Sequence, residues 1–223
     1  MRLRPLTASD GPAWRDLKDR NRAWLSRWEA TVPPGDRTGR VNYRQMVRML
    51  RGEAMQARML PFAVDYSERK DDALGSGTTG TSSGVPPQRS PKSSTADYRL
   101  VGQLTVSGIA WGSLRSANVG YWVDEECAGR GVIPTAVALA VDHCFTVCGL
   151  HRVEVCIRPE NMPSRRVVEK LGFREEGLRR AYLHIDGGWR DHITYALTAE
   201  ELPDGLLNRW HASRITPNGG RTA

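Results

Sequence analysis

Long uncharged apolar runs are missing from this chain of 223 residues. No stretch approaches the ~20 residues that a membrane-spanning helix needs. The opening MRLRPLTASDGPAW also lacks the apolar segment of a secretory leader, so a soluble cytoplasmic protein without a membrane partner is expected. Cysteine is scarce, with four residues in all. None of Cys127, Cys144, Cys148 and Cys156 stands in a CxxC pair, and no HExxH motif accompanies them. The leading reading is therefore reduced, buried small hydrophobes and no metal, although Cys144 and Cys148 share a helix face near His151. Basic runs interleaved with aromatics, Cys/His fingers and RNA-binding aromatic pairs are absent too. The net charge of +7 and pI of 9.6 come from dispersed arginines. They describe a solvated basic surface better than a nucleic-acid groove.

The hydrophobic fraction is low at 39%. Much of the deficit lies in residues 67–97, where 18 of 31 are Gly, Ser, Thr or Pro. Such a segment cannot bury enough apolar surface to offset its ordering entropy, so it reads as a disordered insertion. A loop of that length inside a hairpin costs little more than a short one, because closure entropy grows logarithmically. The remainder forms one domain over 1–210 with a flexible tail at 211–223. No second block of strands and helices calls for another core.

The chain begins with a short edge strand ending at Pro5. Ser9 or Asp10 then caps a helix bearing Trp14, Leu17, Trp24, Leu25 and Trp28 at helical spacing, the tryptophans reading as core or as the wall of a groove. A second helix covers 41–58. Strands follow at 61–66, 99–106 and 118–123, the last two joined by a glycine-rich link. After a central helix come a strand at 151–157 and a helix opened by Asn161 as N-cap, with Ser164 at N3 and Gly172 as its stop. A final strand pair turns at Asp186-Gly187-Gly188, and Thr198 to Glu201 reads as a capping box for a terminal helix through about Trp210. The class is α/β (α+β), a mixed, mostly antiparallel sheet flanked by helices, with the insertion between strands 2 and 3.

The stretch NVGYWVDEECAGRGVIPTAVALAVDHCFTVCG carries the clearest chemistry. A strand runs through a turn containing Gly129 and Gly131 into an apolar helix that Pro134 suits near its start and Gly149 near its end. Glycines allow close backbone approach, and the helix start offers unpaired N–H groups and positive dipole, so an anion belongs there. A dinucleotide turn would want a third glycine where Pro134 stands and an acidic residue ending the next strand, where Arg158-Pro159 follows instead. The dinucleotide reading is discounted, and whether this is a coenzyme A turn is decided by what flanks it.

Three segments, GYWVDEECAGRGV, RPENMPSRRVVEKLGFREEG and YLHIDGGWRDH, together with the order of elements, resemble the GNAT N-acetyltransferases, and within them the ribosomal-protein-alanine group. The resemblance implies a coenzyme A thioester, acetyl-CoA, as co-substrate. Its diphosphate would lie on main-chain N–H groups of Gly129, Arg130, Gly131, Val132 and Ile133. Its pantetheine arm would run alongside Trp122 and Val123, whose amides polarise the thioester. Ala128 and Ile133 depart from the family's turn, and Arg130 or Arg165 would supply charge in place of the side chain lost at Ala128. Asn161 would meet the cofactor arm and Ser164 would protonate the departing thiolate.

Leu183 occupies the place where some relatives carry a basic glutamate, leaving His184 or Tyr182 as candidates. An α-amine with pKa near 8 is about a tenth neutral at pH 7, whereas a lysine is neutral in about one part in a few thousand. An N-terminal amine, such as that of a ribosomal protein, therefore suits a site without a carboxylate. Direct attack is expected, with Cys127 uninvolved. The alternatives are a small-amine acceptor such as a polyamine or antibiotic, for which Asp124-Glu125-Glu126 is the local acidic cluster, or a non-catalytic acyl-CoA-binding module. Either a monomer or a homodimer is compatible.

Overall fold

In a computed structural model, residues 1–35, 41–68 and 97–215 are described. The insertion expected at 67–97 lies almost wholly outside them, between the second and third strands, and so does the tail from 216. In chain order the elements are β1 (Arg2–Pro5), α1 (Gly11–Arg20), α2 (Arg22–Leu25), α3 (Tyr43–Met55), β2 (Leu60–Tyr66) and β3 (Arg99–Ala110). Then follow β4 (Ser116–Val123), α4 (Val132–Thr146), β5 (Arg152–Ile157), α5 (Met162–Leu171), β6 (Arg174–Ile185), β7 (Gly188–Thr198) and α6 (Leu206–Ile215).

The strands form one sheet in the order β1-β2-β3-β4-β5-β7-β6, antiparallel throughout except for β4 against β5. Alternation along each strand divides the side chains between two faces. Leu104 and Val106, Ala117 and Val119, Val153 and Val155, and Tyr195 and Leu197 join residues of α4, α5 and α6 in one core. On the other face Gln103 and Trp122 meet Trp14 of α1. The Trp14 indole N–H donates to Gln103 at 3.0 Å, and the two tryptophan rings stand edge to face at 6.2 Å. Trp14, Trp24 and Trp28 are all half-buried and lie outside the main core cluster.

The long helix read from Ser9 to Trp28 is broken. A 3-10 turn capped by Thr7 precedes α1, and α1 stops at Asn21, whose side chain is buried. That amide donates to Leu17 O and to Asp124, both at 2.9 Å, while its oxygen accepts the Glu125 N–H at 2.9 Å. The break thus clamps the end of β4 to the end of α1, a tertiary demand that overrides helical spacing.

Helix α4 is buried along most of its length, from Val132 and Ile133 through Ala136, Val137, Ala140, Val141 and Cys144. Val147 is 69% exposed because the helix ends before it. Asp142 accepts the N–H groups of Leu206 and Leu207 at 2.6 and 3.0 Å and so caps α6. The Thr198–Glu201 capping box forms but opens only a 3-10 turn. Pro203 and Gly205 interrupt it, and α6 begins afresh at Leu206 and continues to Ile215, five residues beyond the expected end. No described helix is long and apolar enough to cross a membrane.

Candidate active site

Strands β4 and β5 pair only through Ser116, Ala117 and Asn118, opposite Arg152, Val153 and Glu154. Past that point they part, leaving one edge of β4 from 119 to 123 and one edge of β5 from 155 to 157 without a neighbouring strand among the described residues. A fork in the sheet results. At its β4 side the chain turns through Gly129 (φ 76°) and Gly131 (φ 79°) into α4. Both lie in the left-handed region that a Cβ disfavours. Gly131 is the N-cap residue and no side chain caps the helix. The first-turn amides of Val132 and Ile133 therefore keep their hydrogen-bonding capacity for a ligand.

Opposite stands the first turn of α5. Asn161 is its N-cap, with its side-chain oxygen accepting the Ser164 N–H at 3.2 Å. Ser164 is half-buried, and its hydroxyl has no partner among the described residues. The Tyr121 hydroxyl of β4 donates across the gap to the Ser164 carbonyl at 3.5 Å, tying the two sides together. Arg165 turns the other way, donating to the Tyr195 hydroxyl at 3.1 Å and to Pro159 O at 3.3 Å. Arg130 is exposed and pairs with Glu68.

Beneath the turn, Asp124 is 1% exposed and binds Arg20, Arg99 and Asn21. Only Glu125 and Glu126 of the acidic cluster face solvent. Cys127 is also closed off at 1% exposure, and burial pushes its thiol up. Lys18 of α1 lies over the Trp122 ring at 4.7 Å, beside Trp14 and paired with Glu29. Burial pushes its ammonium down to about 8.

Tyr182 and His184 occupy different surroundings. Tyr182 lies near the Cys156 thiol, which sits 3.9 Å from Asn118 and 3.8 Å from Thr194, just where β4 and β5 separate. Burial, first, and the neighbouring thiol push the phenol up, so it remains protonated in the neutral range. His184 is held instead by the Thr31 hydroxyl at 2.8 Å and by the Trp189 ring at 5.8 Å. Leu183 is partly exposed between them.

His192 is a residue that sequence reasoning passed over. It is 3% exposed and packs edge to face on Tyr182 at 5.4 Å. Burial lowers its pKa, so the ring is neutral at pH 7, and Nδ1 donates to Arg190 O at 3.1 Å, leaving Nε2 as the acceptor. The alternation of β7, which sets His192 and Thr194 on one face, was the signal available.

An unpaired strand edge leading from an uncapped helix start to a second helix start offers donors suited to an extended ligand with an anionic tail. The chain belongs to the acetyltransferase (GNAT) family, whose domain model matches residues 1–174. Members of that family take their acetyl group from acetyl-CoA.

The chain is 36% identical to Mycobacterium smegmatis RimJ, solved in complex with CoA-disulfide, with a TM-score of 0.76 and coverage of 95% of this chain and 88% of that one. Among curated proteins it is 40% identical over 102 residues to the probable N-acetyltransferase YjcK of Bacillus subtilis (strain 168), 46% of this chain and 56% of the relative. It is 31% identical over 109 residues to the [ribosomal protein uS5]-alanine N-acetyltransferase of Escherichia coli (strain K12), 49% of this chain and 56% of the relative. The matches thus span about half the length of these two curated relatives. Among the described residues no group of three or more His, Cys, Asp or Glu is placed to hold a metal ion.

Proposed function

We propose that this chain transfers the acetyl group of acetyl-CoA to a primary amine, the α-amine at a protein N-terminus, with a ribosomal protein as the natural candidate. The observation that carries this reading is the fork, with the uncapped start of α4 at one side and Ser164 at the other. Diphosphate on the amides of Gly129, Arg130, Gly131, Val132 and Ile133 would send the pantetheine arm along Trp122 and Val123. The thioester would then lie between β4 and the start of α5, with Asn161 beside the arm. In the ternary complex the amine nitrogen forms its bond to the acetyl carbon as the carbon–sulfur bond breaks. The amine proton leaves through water, and Ser164 donates its hydroxyl proton to the thiolate and is reprotonated from solvent. Protonated Tyr182 suits a role holding that water, and the buried His184 is the second candidate.

Of the acidic cluster that a small polycationic acceptor would want, Asp124 is consumed, buried among Arg20, Arg99 and Asn21, which leaves Glu125 and Glu126. Lys18 adds a cation near Trp122. Both features favour a singly charged α-amine over a polyamine. Thiol release from acetyl-CoA with peptides begun by alanine, serine or methionine, with lysine peptides and with polyamines tests this directly. Turnover is expected with free N-termini, and turnover confined to polyamines would reverse the assignment of the acceptor.

Two substitutions divide the site. Gly131→Val forces a β-branched residue into the left-handed region and rotates the first-turn amides. It should weaken CoA binding about thirtyfold by titration calorimetry, ~2 kcal/mol. Ser164→Ala should leave that affinity intact and lower kcat by roughly ten- to a hundredfold, since it removes only the proton donor. In the same assay Tyr182→Phe and His184→Ala should alter the pH–rate profile, and an unchanged profile would exclude both from proton transfer.

A further inference from the structure

The family's turn has a polar residue where this chain has Ala128, and the two arginines best placed by sequence to replace its charge are otherwise engaged. Arg130 pairs with Glu68, and Arg165 is committed to Tyr195 and Pro159. A third arginine reaches the turn from a part of the chain beyond residues 1–174, which the family model matches. A Cβ built on Gly131 would meet Trp210 Cζ2 at 3.6 Å and Arg214 Nη1 at 3.8 Å. Both residues belong to α6, so the C-terminal helix lies against the residue that opens α4.

That contact is fixed at several points. The Trp210 indole N–H donates to Thr135 Oγ1 at 2.9 Å, and the Thr135 hydroxyl donates to Gly131 O at 2.8 Å. Trp210 is 6% exposed and lies 5.6 Å from the Arg214 guanidinium, which its ring face attracts. At the far end of α6, Asp142 of α4 caps the first turn. Helix α6 is thus anchored to α4 at both ends, and Arg214 is held over the turn by a buried neighbour.

The last turn of α6, whose negative dipole end favours a cation, sets the Arg214 guanidinium beside the positive start of α4. No carboxylate pairs with Arg214 among the described residues. A diphosphate on the amides of Gly131, Val132 and Ile133 would be within its reach and would meet positive charge from both the helix start and the side chain. A guanidinium also suits this task, since its planar fork can grip two phosphate oxygens.

We propose that Arg214, delivered by the C-terminal helix, is the cation of the coenzyme A diphosphate site and takes over the charge that the turn itself lacks at Ala128. This rests on the acetyl-CoA reading above. Cofactor binding and the docking of α6 are then coupled through one side chain.

Titration calorimetry on the full chain tests the assignment, with CoA and with CoA lacking its 3′-phosphate as the two probes. Arg214→Gln is expected to weaken binding of both probes about tenfold and to flatten the dependence of log Kd on log salt. Arg214→Lys should recover part of the loss. Arg51→Gln on the exposed outer side of α3 removes the same charge at a distance and should bind like wild type. Since Arg214 is exposed, matching thermal unfolding curves will show that the variants are folded.

Equal affinity of wild type and Arg214→Gln, or an equal loss in Arg51→Gln, would overturn the proposal. A loss seen with CoA but not with the dephosphorylated probe would overturn the diphosphate assignment in favour of the 3′-phosphate. No heat from wild type with either probe would overturn the cofactor reading, and the role of Arg214 with it.

Discussion

Gly102→Ala is expected to lower the midpoint of thermal unfolding by on the order of 10 °C, a large loss for one added methyl group. The glycine pairs with Val123 in the β3–β4 ladder, at the end of β4 that leads into the turn. A Cβ there would lie 2.3 Å from Trp122 O and 3.0 Å from Val123 Cα. Both atoms are backbone, so no rotamer change relieves the clash and the strands themselves must separate. Separation would strain the Gln103–Trp122 pairing and the 2.7 Å bond from Asp124 N–H to Val101 O. Overpacking on this scale costs about 3–4 kcal/mol, and calorimetric unfolding at neutral pH reads it directly. CoA affinity should fall with it, because the displaced strand positions the helix start. A loss below about 1 kcal/mol would mean that the end of β4 is far more pliant than its pairing implies.

Asp124→Ala is expected to cost about 3 kcal/mol at pH 7, the scale for removing one partner from a buried ionic network. Its carboxylate accepts from Arg20, from Arg99 at 3.4 Å and from Asn21 at 2.9 Å. Truncation leaves the Asn21 amide short of an acceptor and two guanidiniums without a counter-charge. Burial alone would raise the Asp124 pKa. Hydrogen bonds from Arg20 and Asn21, with the Arg20 charge, outweigh it and hold the carboxyl below its ordinary 3.8. The unfolded chain therefore binds this proton at a higher pH than the folded one does. The stabilisation is complete above the unfolded value and is lost as pH falls through the folded value. Unfolding midpoints of wild type and Asp124→Ala should differ most near neutrality and converge in acid below 3.8. A difference that stays constant into that range would trace the effect to lost packing instead of charge.

The parts of the site that depend on short-range geometry were legible in the sequence. Gly131 before Val132, Asn161 before Met162 and the Asp186-Gly187 turn are each decided by a few neighbouring residues, and each forms where expected. Asp186 (φ 49°) and Gly187 (φ 74°) both adopt the positive φ of a tight hairpin turn. The features that shape the site are decided at long range. Nothing in the spacing of β4 and β5 says that they share three residue pairs and then part. Nor does any local pattern show that Asn21 will leave its helix to bind Asp124, 103 positions away.

The same holds for α6. The capping box at Thr198 is a sound local signal for a helix start, yet Pro203 and Gly205 stop it. Once α6 restarts at Leu206, where Asp142 of α4 caps it, its register carries Trp210 and Arg214 to Gly131. Arg130 and Arg165, adjacent to the two motifs in sequence, were the obvious cations. The folded chain turns Arg165 toward Tyr195 and brings a more distant arginine to the turn.

Amide shifts in the 15N-labelled chain titrated with coenzyme A test the central claim most directly. If main-chain N–H groups at the start of α4 grip the diphosphate, Gly129, Gly131, Val132 and Ile133 will move downfield together and saturate with one affinity, while the amides of α3 stay in place. Saturable binding that leaves these four unmoved would show that the cofactor lies elsewhere.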